Sequence, residues 1–233
     1  MSAVKSCALA AGAALLASLA ATAAPAQTPP TERELKIYAG LHAAAAKGDT
    51  AEIEKLIADG EKPNIQDSKS RTPLHVAAFF RHHEAARALL RLGANPNALE
   101  ADRYDIVTIA AVANDLEMLR LALDGGASAR NVTSRYDGTA LIAAAHLGHA
   151  EVVRVLIAAK APLNHVNNLG WTALMESIVL GNGGRDHTET LRALVQAGAD
   201  VNISDRQRVT PLQHARKRGY VEMARILEAA GGH

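Results

Sequence analysis

The sequence repeats itself about every 33 residues, and this internal repeat limits the possible folds more than any other feature. The first residues of the units, which we call the landmarks, are Ala39, Thr72, Asp105, Thr139, Thr172 and Thr210, so successive units are separated by 33, 33, 34, 33 and 38 residues. A unit of this length holds only a short supersecondary motif, which cannot bury its apolar face alone. The repeat therefore predicts a stack of similar units in which each covers its neighbours.

The best-defined unit reads as two helices followed by a turn. Thr72 is suited to cap a helix and Pro73 to occupy its first position. Leu74 begins the inward side of this helix, and Leu89 lies on the inward side of a second helix. Gly93 follows, where a left-handed residue ends a helix. The unit is therefore predicted to be a helix-turn-helix with a polar exit turn.

The repeated motifs resemble the ankyrin-repeat family. Its pattern is partly matched in every unit, most closely by Gly170-Trp171-Thr172-Ala173-Leu174 and by Leu147-Gly148-His149-Ala150-Glu151-Val152-Val153. The resemblance covers residues 38–230 and implies an all-α solenoid of about six repeats with short β-turn fingers. It also implies protein recognition through a concave face. After a linker and the start of a capping helix over 27–37, we expect repeats near 38–66, 67–99, 100–133, 134–166, 167–204 and 205–233.

The N-terminal residues are typical of an export signal. Lys5 precedes an apolar run over 8–20, and Ala24-Pro25-Ala26 offers a cleavage site. We expect cleavage after Ala26 and a periplasmic location, with an extracellular location or an uncleaved anchor as the alternatives. The only cysteine, Cys7, would be removed with this segment. With its signal, the chain resembles exported bacterial ankyrin proteins, some of which are associated with protection from oxidative stress.

Charge and motif content argue against most other functions. Removing Lys5 from the 25 basic residues leaves 24 against 24 acidic ones, so no general attraction to nucleic acid is expected. No nucleophile elbow, phosphate-binding loop or zinc-protease motif is present. We therefore expect no catalysis, no cofactor, no metal and a monomeric chain. His42, His75, His82 and His149 fall at family positions where imidazoles satisfy backbone groups.

Several positions depart from the family pattern. Arg81 and Asn114 stand where the helix pair requires a left-handed residue. The fifth unit carries an insertion, 181–187, which is predicted to be a flexible loop with Thr188 capping the next helix and His187 in solvent. The insertion is interpreted as a tolerated surface loop or, alternatively, as a contact loop or lid.

The contact residues implied by the resemblance lie just before the Thr landmark and seven or eight residues after it. The predicted partner-binding set is Arg71, Phe79, Phe80, Arg103, Tyr104, Tyr136, His146, Trp171, Leu180, Lys217 and Arg218. Its five aromatic members are expected to form one strip across adjacent repeats, because equivalent positions of a solenoid lie side by side. The alternative is that some rings pack between neighbouring turns.

Three functions remain open from the sequence. The favoured one is an exported scaffold that binds a protein in the envelope. The second is a secreted effector that acts on a host protein. The third is an enzyme that uses the 181–187 loop and the nearby His165, although no nucleophile, base and orienting group converge there.

Overall fold

The structure is a computed structural model that describes residues 27–233. The predicted signal peptide, 1–26, lies outside the described residues. The described part contains thirteen helices: α1 (Glu32–Ile37), α2 (Gly40–Lys47), α3 (Thr50–Ala58), α4 (Pro73–Phe79), α5 (His83–Arg91), α6 (Ile106–Val112), α7 (Leu116–Asp124), α8 (Ala140–Leu147), α9 (Ala150–Ala158), α10 (Ala173–Val179), α11 (Arg185–Gln196), α12 (Pro211–Lys217) and α13 (Val221–Ala229). Only an isolated β-bridge, between Thr133 and Gly138, adds extended structure within 27–233.

The helices stack in two layers. Each first helix packs on the first helix of the next repeat, in the order α2, α4, α6, α8, α10 and α12. The second helices form the other layer in the order α3, α5, α7, α9, α11 and α13. Helix α1 precedes the first pair. The predicted all-α solenoid of about six repeats is confirmed.

Each repeat after the first starts where a side chain caps its first helix, whereas Ala39 offers no side-chain cap. Thr72 accepts the backbone N–H of His75, and Thr210 accepts that of Gln213. Asp105 does the same for Thr108 in the third repeat. These oxygens satisfy amides that have no partner within the helix. The landmark residues therefore set the register of the repeats, as the sequence predicted.

The core is built from leucine and alanine, as the composition requires. The second residue after each landmark is almost completely buried: Leu41, Leu74, Val107, Leu141, Leu174 and Leu212. Small buried residues recur further along the same helices, at Ala45, Ala78, Ala111 and Ala145. Alanine lets adjacent first helices approach closely, while leucine fills the space between the layers. The core thus runs through the whole stack.

The two predicted left-handed positions are confirmed. Arg81 has φ of 58° and Asn114 has φ of 51°. The strain at Arg81 is offset by its side chain, because Nε donates to Oδ2 of Asp115 at 3.0 Å. The substitution for glycine thereby links the second repeat to the third.

The insertion in the fifth repeat differs from its prediction. Helix α11 begins at Arg185, so the inserted residues add helix and only the turn before Arg185 is irregular. Thr188 is a buried residue inside the helix. The turn is fixed because Asn182 Oδ1 accepts the Gly184 N–H at 2.9 Å. His187 Nε2 donates to the carbonyl oxygen of His146 at 2.9 Å. The predictions that Thr188 caps the helix and that His187 is solvated were wrong.

Among residues 27–233, no helix has the length and apolar character needed to cross a membrane.

Candidate partner-binding face

The turns between repeats project as fingers, and the C-terminal ends of the first helices lie beside them. We call the surface formed by these two features the finger face. Buried imidazoles tie the first two fingers to first helices: His75 Nε2 donates to the carbonyl oxygens of Ala98 (3.0 Å) and Tyr104 (3.2 Å). His42 Nε2 donates to the Arg71 carbonyl oxygen at 2.8 Å. The fingers are therefore held at fixed positions rather than presented as loose loops.

Two further histidines confirm the predicted backbone-satisfying role. His82 Nε2 donates to the Ala46 carbonyl oxygen at 3.1 Å, and His149 Nδ1 donates to that of Ala111 at 3.0 Å. Burial lowers the pKa of His75, and its Nδ1 accepts the backbone N–H of Thr72. The neutral form is therefore the one that joins helix α4 to the finger.

Arg71 is not a surface contact residue. Its side chain is only 2% exposed, and its guanidinium bonds Glu34 at 2.5 Å and Asp67 at 2.8 Å. Tyr38 donates its hydroxyl to the same Asp67 carboxylate at 2.5 Å. These four side chains join helix α1 and the start of the first repeat to the finger between the first and second repeats. The prediction that Arg71 contacts a partner was wrong because the carboxylates of Asp67, in the same finger, and of Glu34, in helix α1, enclose its side chain.

Tyr104 is also buried, at 6% exposure, and belongs to the hydrophobic core. Burial raises the pKa of its hydroxyl. Its neighbour Arg103 remains on the surface, where it pairs with Asp137 at 3.0 Å. The proposed aromatic strip is therefore interrupted at the third repeat, because the ring fills space between repeats.

The other predicted apolar residues do reach the finger face to different degrees. Phe79, Phe80 and Trp171 are half-buried. Tyr136 is 50% exposed and Leu180 is 42% exposed. These residues occupy either a finger or the end of a first helix. The face thus keeps apolar groups in the second, fourth and fifth repeats.

Sequence reasoning missed several exposed apolar side chains beside the predicted ones. Leu169 is exposed at the tip of the fifth finger. Three more exposed residues lie six positions after the left-handed residue that ends a second helix (Gly93, Gly126 or Lys160): Leu99, Val132 and Val166. Their common spacing was the signal that could have found them. They extend the apolar character of the fingers over three successive repeats.

A buried carboxylate organises the fifth finger, and it too was missed. Asn167 Nδ2 donates to Oε1 of Glu176 at 2.9 Å, and Asn167 Oδ1 accepts the backbone N–H groups of Leu169 and Trp171 at 3.0 Å. His146 Nδ1 lies 3.4 Å from the other oxygen of Glu176. Glu176 therefore acts on the surface indirectly, by holding the finger that carries Leu169 and Trp171.

The last repeat gives the finger face a basic end. Lys217 and Arg218 are exposed at the end of helix α12. The Arg218 guanidinium lies 6.0 Å from the ring centre of Tyr220. This arrangement leaves the charge accessible to solvent while the ring fixes its position.

Within the part of the chain that the structure describes, no three His, Cys, Asp or Glu side chains gather closely enough to hold a metal ion. His42, His75 and His165, which contact the fingers, are each bonded to a backbone carbonyl oxygen. The geometry therefore offers a rigid contact surface with exposed apolar and cationic groups.

Family models identify the repeats. A model of ankyrin repeats in three copies matches residues 31–100 and 106–205, and a second ankyrin-repeat model matches residues 183–228. These matches cover most of the chain, which therefore belongs to the ankyrin-repeat family. The family is in general a non-catalytic scaffold for protein–protein interaction.

Bacterial and human relatives share the architecture. The chain is 32% identical over 81% of its length to the putative ankyrin repeat protein YahD of Escherichia coli K12, covering 94% of that protein. The crystal structure of an ankyrin repeat domain from Acinetobacter baumannii AYE has a TM-score of 0.80 and 42% identity, covering 83% of this chain and 98% of that one. The human ASB11 ankyrin repeat domain has a TM-score of 0.70 and 25% identity, with 84% and 85% covered.

Proposed function

We propose that this protein is an exported scaffold that binds one protein partner on its finger face. The observation that carries the proposal is the set of exposed apolar side chains on fixed backbone in adjacent repeats: Tyr136, Leu147, Leu169 and Leu180. Exposed apolar groups that lie together usually mark an interaction site. They lie outside the alanine and leucine core, so packing of the stack does not require them.

The rigidity of the fingers supports the same proposal. Glu176 and Asn167 hold the finger of Leu169 and Trp171, and the buried imidazoles of His42 and His75 hold the first two fingers. A preformed surface loses little conformational entropy on binding, so its contacts contribute more fully to affinity.

Export is the part of the proposal that rests on sequence alone. The charged start, the apolar run and the Ala24-Pro25-Ala26 site favour a cleaved signal and a periplasmic location. Fractionation of the native cell tests this location, and recovery from the culture medium instead would favour the secreted effector. A role in envelope protection against oxidants follows only from resemblance. Survival of a deletion strain after peroxide treatment tests that role.

The binding proposal is tested by capture and crosslinking from a periplasmic extract. Tyr136→Ser with Leu180→Ser removes two exposed apolar contacts, whereas Arg33→Glu with Arg120→Glu changes exposed charges elsewhere. If Tyr136 and Leu180 are central contacts, capture by the first variant should fall about thirtyfold, which corresponds to roughly 2 kcal/mol. The second variant should capture as the wild type does. Equal capture by all three folded proteins would contradict the finger face as the site.

The half-buried phenylalanines need a separate variant. Phe79→Ala with Phe80→Ala should weaken capture while leaving the helical circular dichroism nearly intact. A folded variant with unchanged capture would assign these rings to packing between repeats.

A further inference from the structure

The C-terminal end of the finger face carries exposed cations that have no carboxylate partner within residues 27–233. They are Arg206, Arg208, Lys217 and Arg218. Nearby arginines behave differently: Arg216 pairs with Glu228 at 2.6 Å, and Arg225 pairs with Glu222 at 2.8 Å. These two arginines are thus paired with glutamates of helix α13, whereas the cations on the finger side of the last repeat are not paired with a carboxylate in the described part of the chain.

Two contacts join these cations to the apolar part of the face. Arg206 donates to the carbonyl oxygen of Asn168, next to the exposed Leu169. On the helix side, Arg218 lies over Tyr220, whose hydroxyl donates to the Gly181 carbonyl oxygen at 3.0 Å, one residue after the exposed Leu180. A ligand on the apolar residues of the fifth repeat would therefore extend onto the basic end.

The carboxylate next to Arg206 in the sequence forms no ion pair with these cations. Asp205 is buried and accepts the backbone N–H of Val209 at 2.9 Å and the Nε2 hydrogen of His214 at 2.7 Å. The acids of the middle fingers are likewise engaged, since Asp102 pairs with Arg135 and Asp137 with Arg103. The positive charge is local, because basic and acidic residues balance outside the N-terminal segment.

We propose that this basic end, formed by Arg206, Arg208, Lys217 and Arg218, binds a carboxylate-rich segment of the protein partner. Apolar residues of the same segment lie on Leu169 and Leu180. The inference rests on the proposed function and specifies the chemistry of the partner. Complementary charge at the edge of an interface steers encounter and excludes partners of the wrong sign.

A peptide fits this surface better than a nucleic acid does. Non-specific binding of single strands uses a long basic groove with repeated aromatic platforms. Here the cations that border the exposed leucines all lie in the last repeat, and the middle fingers present the ion pairs Arg103–Asp137 and Arg135–Asp102 beside apolar groups. An acidic segment with apolar residues matches both parts of the surface.

The test selects random dodecapeptides displayed on phage against the full chain lacking residues 1–26, in parallel with two charge variants. Wild type should enrich peptides that combine Asp or Glu with Leu, Phe or Ile. Lys217→Glu with Arg218→Glu should lose this preference and enrich Lys or Arg instead. Arg33→Glu with Arg120→Glu alters the same number of exposed cations away from this end, and it should keep the wild-type preference.

A quantitative measurement follows with the most enriched peptide, synthesised with a fluorescent label. Its anisotropy titration should show about tenfold weaker binding to Lys217→Glu with Arg218→Glu, and the difference should shrink as salt is raised. A peptide in which Gln and Asn replace the acids should bind both proteins equally. Circular dichroism establishes that the variants are folded.

Results that contradict the basic end can be told apart from results that contradict the apolar part of the face. Absence of acidic enrichment on the wild type, or the same enrichment on both charge variants, would overturn the inference. Binding of a single-stranded oligonucleotide that depends on Lys217 and Arg218, without peptide enrichment, would overturn it in favour of nucleic acid. Acidic peptides that require Lys217 and Arg218 but ignore Tyr136→Ser with Leu180→Ser would instead support the basic end and count against the apolar part of the proposed function.

Discussion

Replacing Arg71 by alanine should destabilise the protein far more than replacing a surface arginine. The Arg71 side chain is 2% exposed and forms bonds of 2.5 Å to Glu34 and 2.8 Å to Asp67. Removing one partner of a buried ion pair leaves uncompensated charge, which costs about 3–5 kcal/mol. Two charge-assisted hydrogen bonds at about 1.5–3 kcal/mol each lead to the same range.

Arg103→Ala is the matched control, because this arginine also joins two neighbouring repeats. Its pair with Asp137 lies 3.0 Å apart, but both side chains are about half exposed. Water screens such a pair, so its loss should cost less than about 1 kcal/mol. The two variants therefore differ in burial while removing the same kind of contact.

Urea unfolding followed by helical circular dichroism measures the difference. Hydrogen exchange adds a local measurement: amides of helix α1 should lose protection in Arg71→Ala, since Glu34 lies in that helix. Equal losses of stability for the two arginines would refute the burial argument. Unchanged protection of α1 would show that the Arg71 group does not hold that helix.

The remaining predictions use other parts of the molecule. Leu89 is completely buried, so Leu89→Ala should lower the free energy of unfolding by roughly 2–5 kcal/mol. Lys217 is exposed, so Lys217→Ala should lower it by less than roughly 0.5 kcal/mol. Equal losses in urea unfolding would contradict the repeat register. Burial opposes ionisation of Asp115, but bonds from His83 and the Met118 amide outweigh it and lower its pKa from 3.8. Its contribution should therefore be complete above pH 3.8 and lost as pH falls through the lowered value, and Asp115→Asn should flatten this part of the stability curve. Mass spectrometry of periplasmic protein should find a chain that begins at Gln27, and a mass that retains the first 26 residues would exclude the predicted cleavage.

The family, the repeat register and the identity of the core were accessible from sequence because they depend on local rules. A threonine or aspartate before an apolar helix caps it wherever it occurs, as Thr72 and Asp105 do. The left-handed positions of Arg81 and Asn114 also followed from their place between two helices. Repetition of these short-range signals in six units made the solenoid predictable.

Whether a predicted contact residue faces solvent was decided by the tertiary structure. Arg71 and Tyr104 stand at equivalent positions before their landmarks, yet one is enclosed by carboxylates and the other fills the core. The inserted residues extend helix α11, and His187 within them donates to a carbonyl oxygen of the preceding repeat. The sequence determines which residues each repeat presents at its edge, but packing of adjacent repeats determines which of those residues remain exposed, because burial depends on neighbours roughly one repeat away along the chain.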